Sequence, residues 1–98
     1  MSYKLLFKEG IDQDLSKLSH AQKLLVFKQF KKIEKSPELG QLLGNKAGYD
    51  LSGCRKLYVD KKKIRIVYQI INNEIIVEVI AVGKRDDMDV YLKASERI

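Results

Sequence analysis

The sequence predicts an α+β fold: a small antiparallel sheet of about four strands, two N-terminal helices packed on one face, and a short C-terminal helix. Three observations carry that prediction. Residues 11–36 place apolar side chains at helical spacing. Residues 55–82 switch to two-residue alternation rich in Ile, Val and Tyr. The chain has 98 residues, 45% of them apolar, which fits one core and one domain spanning 1–98. A domain of this size buries only about 60–65% of its unfolded surface, so its stability margin is expected to be modest.

In chain order, Tyr3–Lys8 is apolar and β-favouring and reads as a first strand. Ile11, Leu15 and Leu18 then fall on one helical face. Ser19, with Gln22 three residues later, has the form of a capping box and opens a second helix. On that helix Val26, Phe27, Phe30 and Ile33 share an arc of about 120°, wide enough to pack on a sheet. Pro37 ends it, because proline disfavours helix at Ser36 and lacks an N–H. Residues 38–54 are richer in Gly, Asn and Ser, and are expected to form a loop with one short helical turn, anchored by Leu39, Leu42, Leu43 and Leu51. From Arg55 the pattern is β. Lys61-Lys62-Lys63 marks an exposed turn, and the runs 64–71 and 75–82 form a hairpin across Asn72-Asn73, both tolerant of positive φ. A short polar helix around Met88–Glu96 closes the chain.

That hairpin pairs Ile70 with Ile75, Tyr68 with Val77, Ile66 with Val79, and Ile64 with Ala81, giving one apolar face that belongs to the core. The opposite face is half apolar. The same alternation turns Leu57 and Val59 inward, and leaves Lys56, Tyr58 and Arg65 to share the open face.

Composition limits the chemistry. Lys and Arg number 19 against 13 Asp and Glu, a net charge of +6 that favours a polyanionic partner. Cys54 is the single cysteine, so no intrachain disulfide forms, and it reads as a packing residue. His20 is the single histidine, so a structural zinc site and a His-based triad lack their parts. It reads as a surface residue of the second helix. No cofactor is implied. The N-terminus has no signal-peptide apolar core, and no apolar run approaches the roughly 20 residues of a membrane span. A cytosolic protein without membrane contact is expected.

Between Arg55 and Arg65 lie six basic side chains and one acid, Asp60. Lysines in a hairpin turn also serve to discourage edge pairing. Lys56 and Arg65, however, flank an aromatic ring. Cations for phosphate with a ring for a base is the composition of an RNA-binding surface. In the segment Val82-Gly83-Lys84-Arg85-Asp86-Asp87-Met88-Asp89-Val90-Tyr91, the glycine is expected to let the chain turn sharply after its strand, bringing Arg85 out beside Arg65. The plainer alternative pairs Arg85 with Asp86 or Asp87 and packs Tyr91 as a lid on the core.

Ile64-Arg65-Ile66-Val67-Tyr68-Gln69, followed by Val82-Gly83-Lys84-Arg85 and Val90-Tyr91, resembles the C-terminal half of the RelE toxins of bacterial toxin–antitoxin pairs. Tyr3-Lys4-Leu5-Leu6-Phe7, the two helices and Ser36-Pro37 also fit that layout. The resemblance implies a RelE-like fold and a ribosome-dependent endoribonuclease, cutting mRNA in the A site by metal-independent attack of the 2′-OH. Its partners would be the ribosome, mRNA and a cognate antitoxin. By position it implies catalytic roles for Lys56, Arg65, Arg85 and Tyr91. Arg55, Tyr58, Lys61, Lys62, Lys63 and Lys84 become candidate RNA contacts. One departure is evident: a second basic residue of the family's strand falls on Tyr58. That leaves open whether Lys56 alone, or one of Lys61–Lys63, supplies the cation.

RNA brings its own nucleophile, so the protein needs only a base, an acid and charge stabilisation. A lysine depressed by neighbouring cations, or a tyrosine in a cationic field, could exchange the protons. Arg65 and Arg85 would stabilise charge growing on the phosphorane. Two alternatives use the same scaffold: an inhibitor resembling the ParE toxins that poison DNA gyrase, and a basic module that only binds an acidic antitoxin.

Overall fold

Seven strands and three α-helices make up the computed structural model, which describes residues 3–46, 48–71, 76–84 and 89–98. In order they are β1 (Lys4–Phe7), α1 (Ile11–Ser16), α2 (His20–Lys35), a 3₁₀ turn at Pro37–Leu39, β2 (Gln41–Leu42), β3 (Asn45–Lys46), β4 (Tyr49–Asp50), β5 (Cys54–Val59), β6 (Ile64–Ile71), β7 (Ile76–Lys84) and α3 (Asp89–Arg97). The main sheet has five strands in the order β1-β7-β6-β5-β2, and β3 pairs with β4 in a small second sheet.

The fold is α+β, but the sheet is mixed and larger than the expected four antiparallel strands. β1 runs parallel to β7, with Leu5 opposite Val77 and Phe7 opposite Val79. Local patterning cannot show a pairing between segments so distant in sequence, and strand order is set by packing instead.

Helix α2 forms where its caps dictate. The Ser19 hydroxyl accepts from the Gln22 N–H, and the Gln22 side chain accepts from the Ser19 N–H, each at 3.1 Å. The capping box is therefore complete. Val26, Phe30 and Ile33 are buried beneath the helix, whereas Phe27, expected in the same stripe, is 45% exposed at its edge. Pro37 ends α2 and opens the 3₁₀ turn.

The hairpin keeps its predicted faces but not its predicted register. Ile70 lies opposite Val77 and Tyr68 opposite Val79, a two-residue shift. The Asn72-Asn73 turn lies outside the described residues. A slip of two preserves side-chain parity, so Ile66, Tyr68, Val77 and Val79 still face the helices. Beyond Tyr68 the ladder breaks: Val67 pairs with Ala81, and Ile80 is left without a cross-strand partner. This β-bulge turns Ala81 to the other face, so Ile64 lies opposite Lys84 and not Ala81.

That other face is also covered. Val67, Ile80 and Ala81 pack with Leu43, Leu51, Cys54, Val90, Tyr91 and Ala94 into a second core cluster. The closing helix is therefore amphipathic rather than merely polar, and the 41–54 segment is anchored by Leu43 and Leu51 beside its short strands, whereas Leu39 and Leu42, expected as anchors, are exposed. Gly83 is not a turn residue but part of β7; a Cβ there would sit 3.1 Å from that of Val90, so glycine allows α3 its close approach.

Candidate active site

Strand alternation places Cys54, Lys56 and Tyr58 of β5 on the α3 side of the sheet, where Tyr58 lies directly opposite Arg65 of β6. Arg65 lies in turn opposite Gly83 of β7. The absent side chain at Gly83 leaves α3 room beside Arg65, and α3 brings Tyr91 under the guanidinium.

Arg65 is held between two rings. Its Cζ lies 5.9 Å from the centroid of Tyr58 and 4.9 Å from that of Tyr91. Both distances are within cation–π range, and the clamp fixes the guanidinium plane. Only 9% of Arg65 is exposed. Lys56 Nζ lies 5.0 Å from the Tyr58 centroid and donates a 3.1 Å hydrogen bond to its hydroxyl. That hydrogen bond is the main influence lowering the Tyr58 phenol from its ordinary value; burial opposes it, and the charge of Lys56 and the hydrogen bond and charge of Arg65 each lower it further.

Lys56, Tyr58, Arg65 and Tyr91 therefore converge. Tyr91 differs from the others in access: it is fully buried, and its hydroxyl has no hydrogen-bond partner among the described residues. Arg85 lies outside the described residues. Arg55 does not join the group, because its odd position in the alternation turns it to the opposite face, where Nη1 donates to the Gly40 carbonyl at 2.8 Å. Lys84 ends β7 and lines a cavity of about 210 Å³ with Asp14, Lys17 and Lys93, on the α1 side.

Lys61–Lys63 are exposed in the β5–β6 turn. Asp60, Lys61 and Lys62 all have positive φ, of 55°, 54° and 70°. Three successive left-handed non-glycine residues are strained, and two hydrogen bonds oppose that strain. Lys63 N–H donates to the Asp60 carbonyl at 3.0 Å, and the Gln22 amide donates to the Asp60 carboxylate at 3.2 Å.

Sequence reasoning missed Asp14. This α1 carboxylate is only 3% exposed. It accepts from Val82 N–H at 3.0 Å, from Arg97 at 2.8 and 3.2 Å, and from Lys93 at 3.5 Å. Arg97 also donates to the carbonyl of bulged Ile80 at 3.0 Å. The β1–β7 pairing stops at Val79, and Asp14 takes over the exposed edge of β7 at Val82. One buried charge thus fastens α1, β7 and α3 together, beside the Gly83-Lys84 end of β7. The signal was faint: Asp14 lies one step beyond the arc defined by Ile11, Leu15 and Leu18, close enough to the apolar stripe for its charge to need partners.

Residues 5–88 match the family model described as ParE toxin of type II toxin-antitoxin system, parDE. A RelE-like toxin protein of Escherichia coli is 35% identical over 100 residues, covering 100% of this chain and 99% of the relative. The chain belongs to the RelE/ParE family of type II toxins. The mRNA interferase toxin RelE of Escherichia coli strain K12 is 32% identical to this toxin, again covering 100% and 99%. Among solved structures, an arginine-to-alanine double mutant of E. coli RelE in the free state superposes with a TM-score of 0.78 at 31% identity, over 100% of this chain and 99% of that one. The toxin of the intact E. coli RelBE toxin–antitoxin complex gives 0.71 at 28% identity, over 88% and 100%. Within the described residues, no helix is long and apolar enough to cross a membrane.

Proposed function

We propose that this toxin is an endoribonuclease that cuts mRNA in the ribosomal A site by metal-independent attack of the RNA 2′-OH, and that a cognate antitoxin silences it. The observation that carries this reading is the Arg65 guanidinium, clamped between Tyr58 and Tyr91 beside Lys56 on one face of the sheet. A cation fixed in this way is preorganised for charge developing on a phosphorane, and little reorganisation is required as the reaction proceeds. Lys56 meets the phosphate from the other side of Tyr58. Arg85 supplies the second guanidinium, as the resemblance implies.

Tyr91 acts through Arg65. Its buried ring fixes the orientation of the guanidinium, and its hydroxyl stays out of contact with RNA while α3 is docked. Lys61–Lys63, in their braced turn, extend the positive surface along the strand, whereas Arg55 and Lys84 lie on the other face of the sheet. The related RelE proteins named as mRNA interferases, and the one solved with an antitoxin, support the reading. An acidic amphipathic segment from the antitoxin suits a surface this basic.

The test is mapping of mRNA 5′ ends after induction. Wild type is expected to produce new ends within coding sequence and arrest growth; Arg85→Ala, still folded, is expected to lose cleavage by about 10²–10³-fold. A folded Arg85→Ala protein with full toxicity removes that residue from the mechanism. The ParE description of the family model favours a second reading, action on DNA gyrase. DNA damage on induction without new mRNA ends would establish it instead.

A further inference from the structure

We propose that Tyr58 is the proton acceptor of this site, taking the proton of the attacking 2′-hydroxyl while Lys56 supplies one to the leaving oxygen. The inference rests on the ribonuclease reading above and assigns the acid–base pair within it.

Any phosphodiester cleavage by an internal 2′-OH needs one group to remove a proton and another to deliver one. The candidates are few. His20, the only histidine of the sequence, starts α2 and is exposed there, away from Arg65. The Tyr91 hydroxyl is buried beneath Arg65. Tyr58 is half-buried, with its hydroxyl already engaged by the Lys56 ammonium at 3.1 Å and its ring within 5.9 Å of the Arg65 guanidinium. Two cations beside one phenol ease its ionisation, and the direction of its titration agrees. Tyr58 also faces the clamped guanidinium across the β5–β6 pair. A phosphate held by Arg65 would therefore have its neighbouring 2′-hydroxyl beside this phenol.

The step balances without a metal or other co-reactant. The 2′-hydroxyl gives its proton to the Tyr58 phenolate, the O2′–P bond forms, and the P–O5′ bond breaks. The departing O5′ takes a proton from the Lys56 ammonium. The products are a 2′,3′-cyclic phosphate and a 5′-hydroxyl. Tyr58 is left neutral and Lys56 an amine, and the hydrogen bond between them returns the proton from phenol to amine. The site resets with its own atoms.

The experiment measures single-turnover cleavage of mRNA on programmed ribosomes, at saturating toxin and across pH, for wild type, Tyr58→Phe, and toxin carrying 3-fluorotyrosine at position 58. Phe keeps the ring between the two cations and removes the hydroxyl that would exchange the proton, together with its hydrogen bond to Lys56. Wild-type rates are expected to rise with pH and level off as Tyr58 ionises. Fluorination, which acidifies the phenol, moves that rise to lower pH. Tyr58→Phe is expected to lose the rise and about 10²–10⁴-fold in rate, with ribosome affinity and thermal unfolding unchanged. A Tyr58→Phe rate within a few-fold of wild type, with the same pH profile, overturns the assignment and leaves the nuclease reading standing. Absence of ribosomal cleavage by wild type itself overturns both.

Discussion

The two faces of the main sheet share strands β5, β6 and β7 and are finished in opposite ways. Under α1 and α2, large side chains interlock: Val26, Phe30 and Ile33 rest on Ile66, Tyr68, Val77 and Val79. The Tyr68 hydroxyl, buried there, is saturated, donating to the Pro37 carbonyl at 2.6 Å and accepting from Gly40 N–H at 2.8 Å. Under α3 the contacts are smaller (Cys54, Ala81, Ala94), a guanidinium lies between two rings, and the Tyr91 hydroxyl is buried with no hydrogen-bond partner among the described residues. An unsatisfied buried hydroxyl costs about 1–3 kcal/mol. One face is closed by interlocking side chains, and the other holds cations close together. Breaches of packing rules of this kind gather at functional sites.

The largest effect that tests this contrast is at Asp14. Asp14→Ala would leave Arg97 and Lys93 without their buried carboxylate and is expected to cost about 3–5 kcal/mol. Urea denaturation measures the loss, and amide exchange should speed first in α3 and at Val82. If stability is unchanged, the charge cluster does not hold the α3 face. Gly40→Ala attacks the other face. A Cβ at Gly40 would meet the Tyr68 hydroxyl, and breaking its two hydrogen bonds should cost about 1–3 kcal/mol while cleavage per folded molecule stays at the wild-type rate. A loss of cleavage with full stability would show the two faces to be coupled.

The smallest effect separates two tyrosines. Burial is the main influence raising the Tyr68 phenol, whereas Tyr58 is lowered by its cations. Ultraviolet titration with Tyr58→Phe and Tyr68→Phe as assignments should find Tyr58 ionising first and Tyr68 late. The signs of their stability contributions are opposite. Tyr68 contributes fully below the ordinary tyrosine value of about 10, and its contribution is lost as pH rises through its folded value. Tyr58 contributes above the ordinary value, and that contribution is lost as pH falls through its own folded value. Coincident titration would remove the electrostatic distinction between the faces.

Much of this was legible where a rule acts locally. The Ser19–Gln22 capping box, the stop at Pro37 and the shared face of Lys56, Tyr58 and Arg65 follow from spacing alone. The same period-two argument would have excluded Arg55, one residue from Lys56 and therefore on the other face. What escaped depends on distant partners. The parallel β1–β7 pair, the bulge at Ile80 and the cover of α3 over Val67 are decided by elements far apart in sequence. Gly83 looked like a turn because glycine is ambiguous; its actual constraint, Val90, arrives from another helix. Asp14 was hidden because a carboxylate beside an apolar arc reads as a surface residue until its donors, Val82 N–H, Lys93 and Arg97, are found.

The parallel join of β1 to β7 also carries a consequence for how the chain comes into being. Phe7 has to wait for Val79 before its ladder can close. At translation speeds of about 5–20 residues per second, the first strand stands unpaired for several seconds on a nascent chain. Until then Arg65 has neither β7 nor Tyr91 beside it. The cluster around Arg65 is thus assembled last, and refolding in vitro should be slow compared with helical proteins of equal length, because the closing contact spans most of the chain.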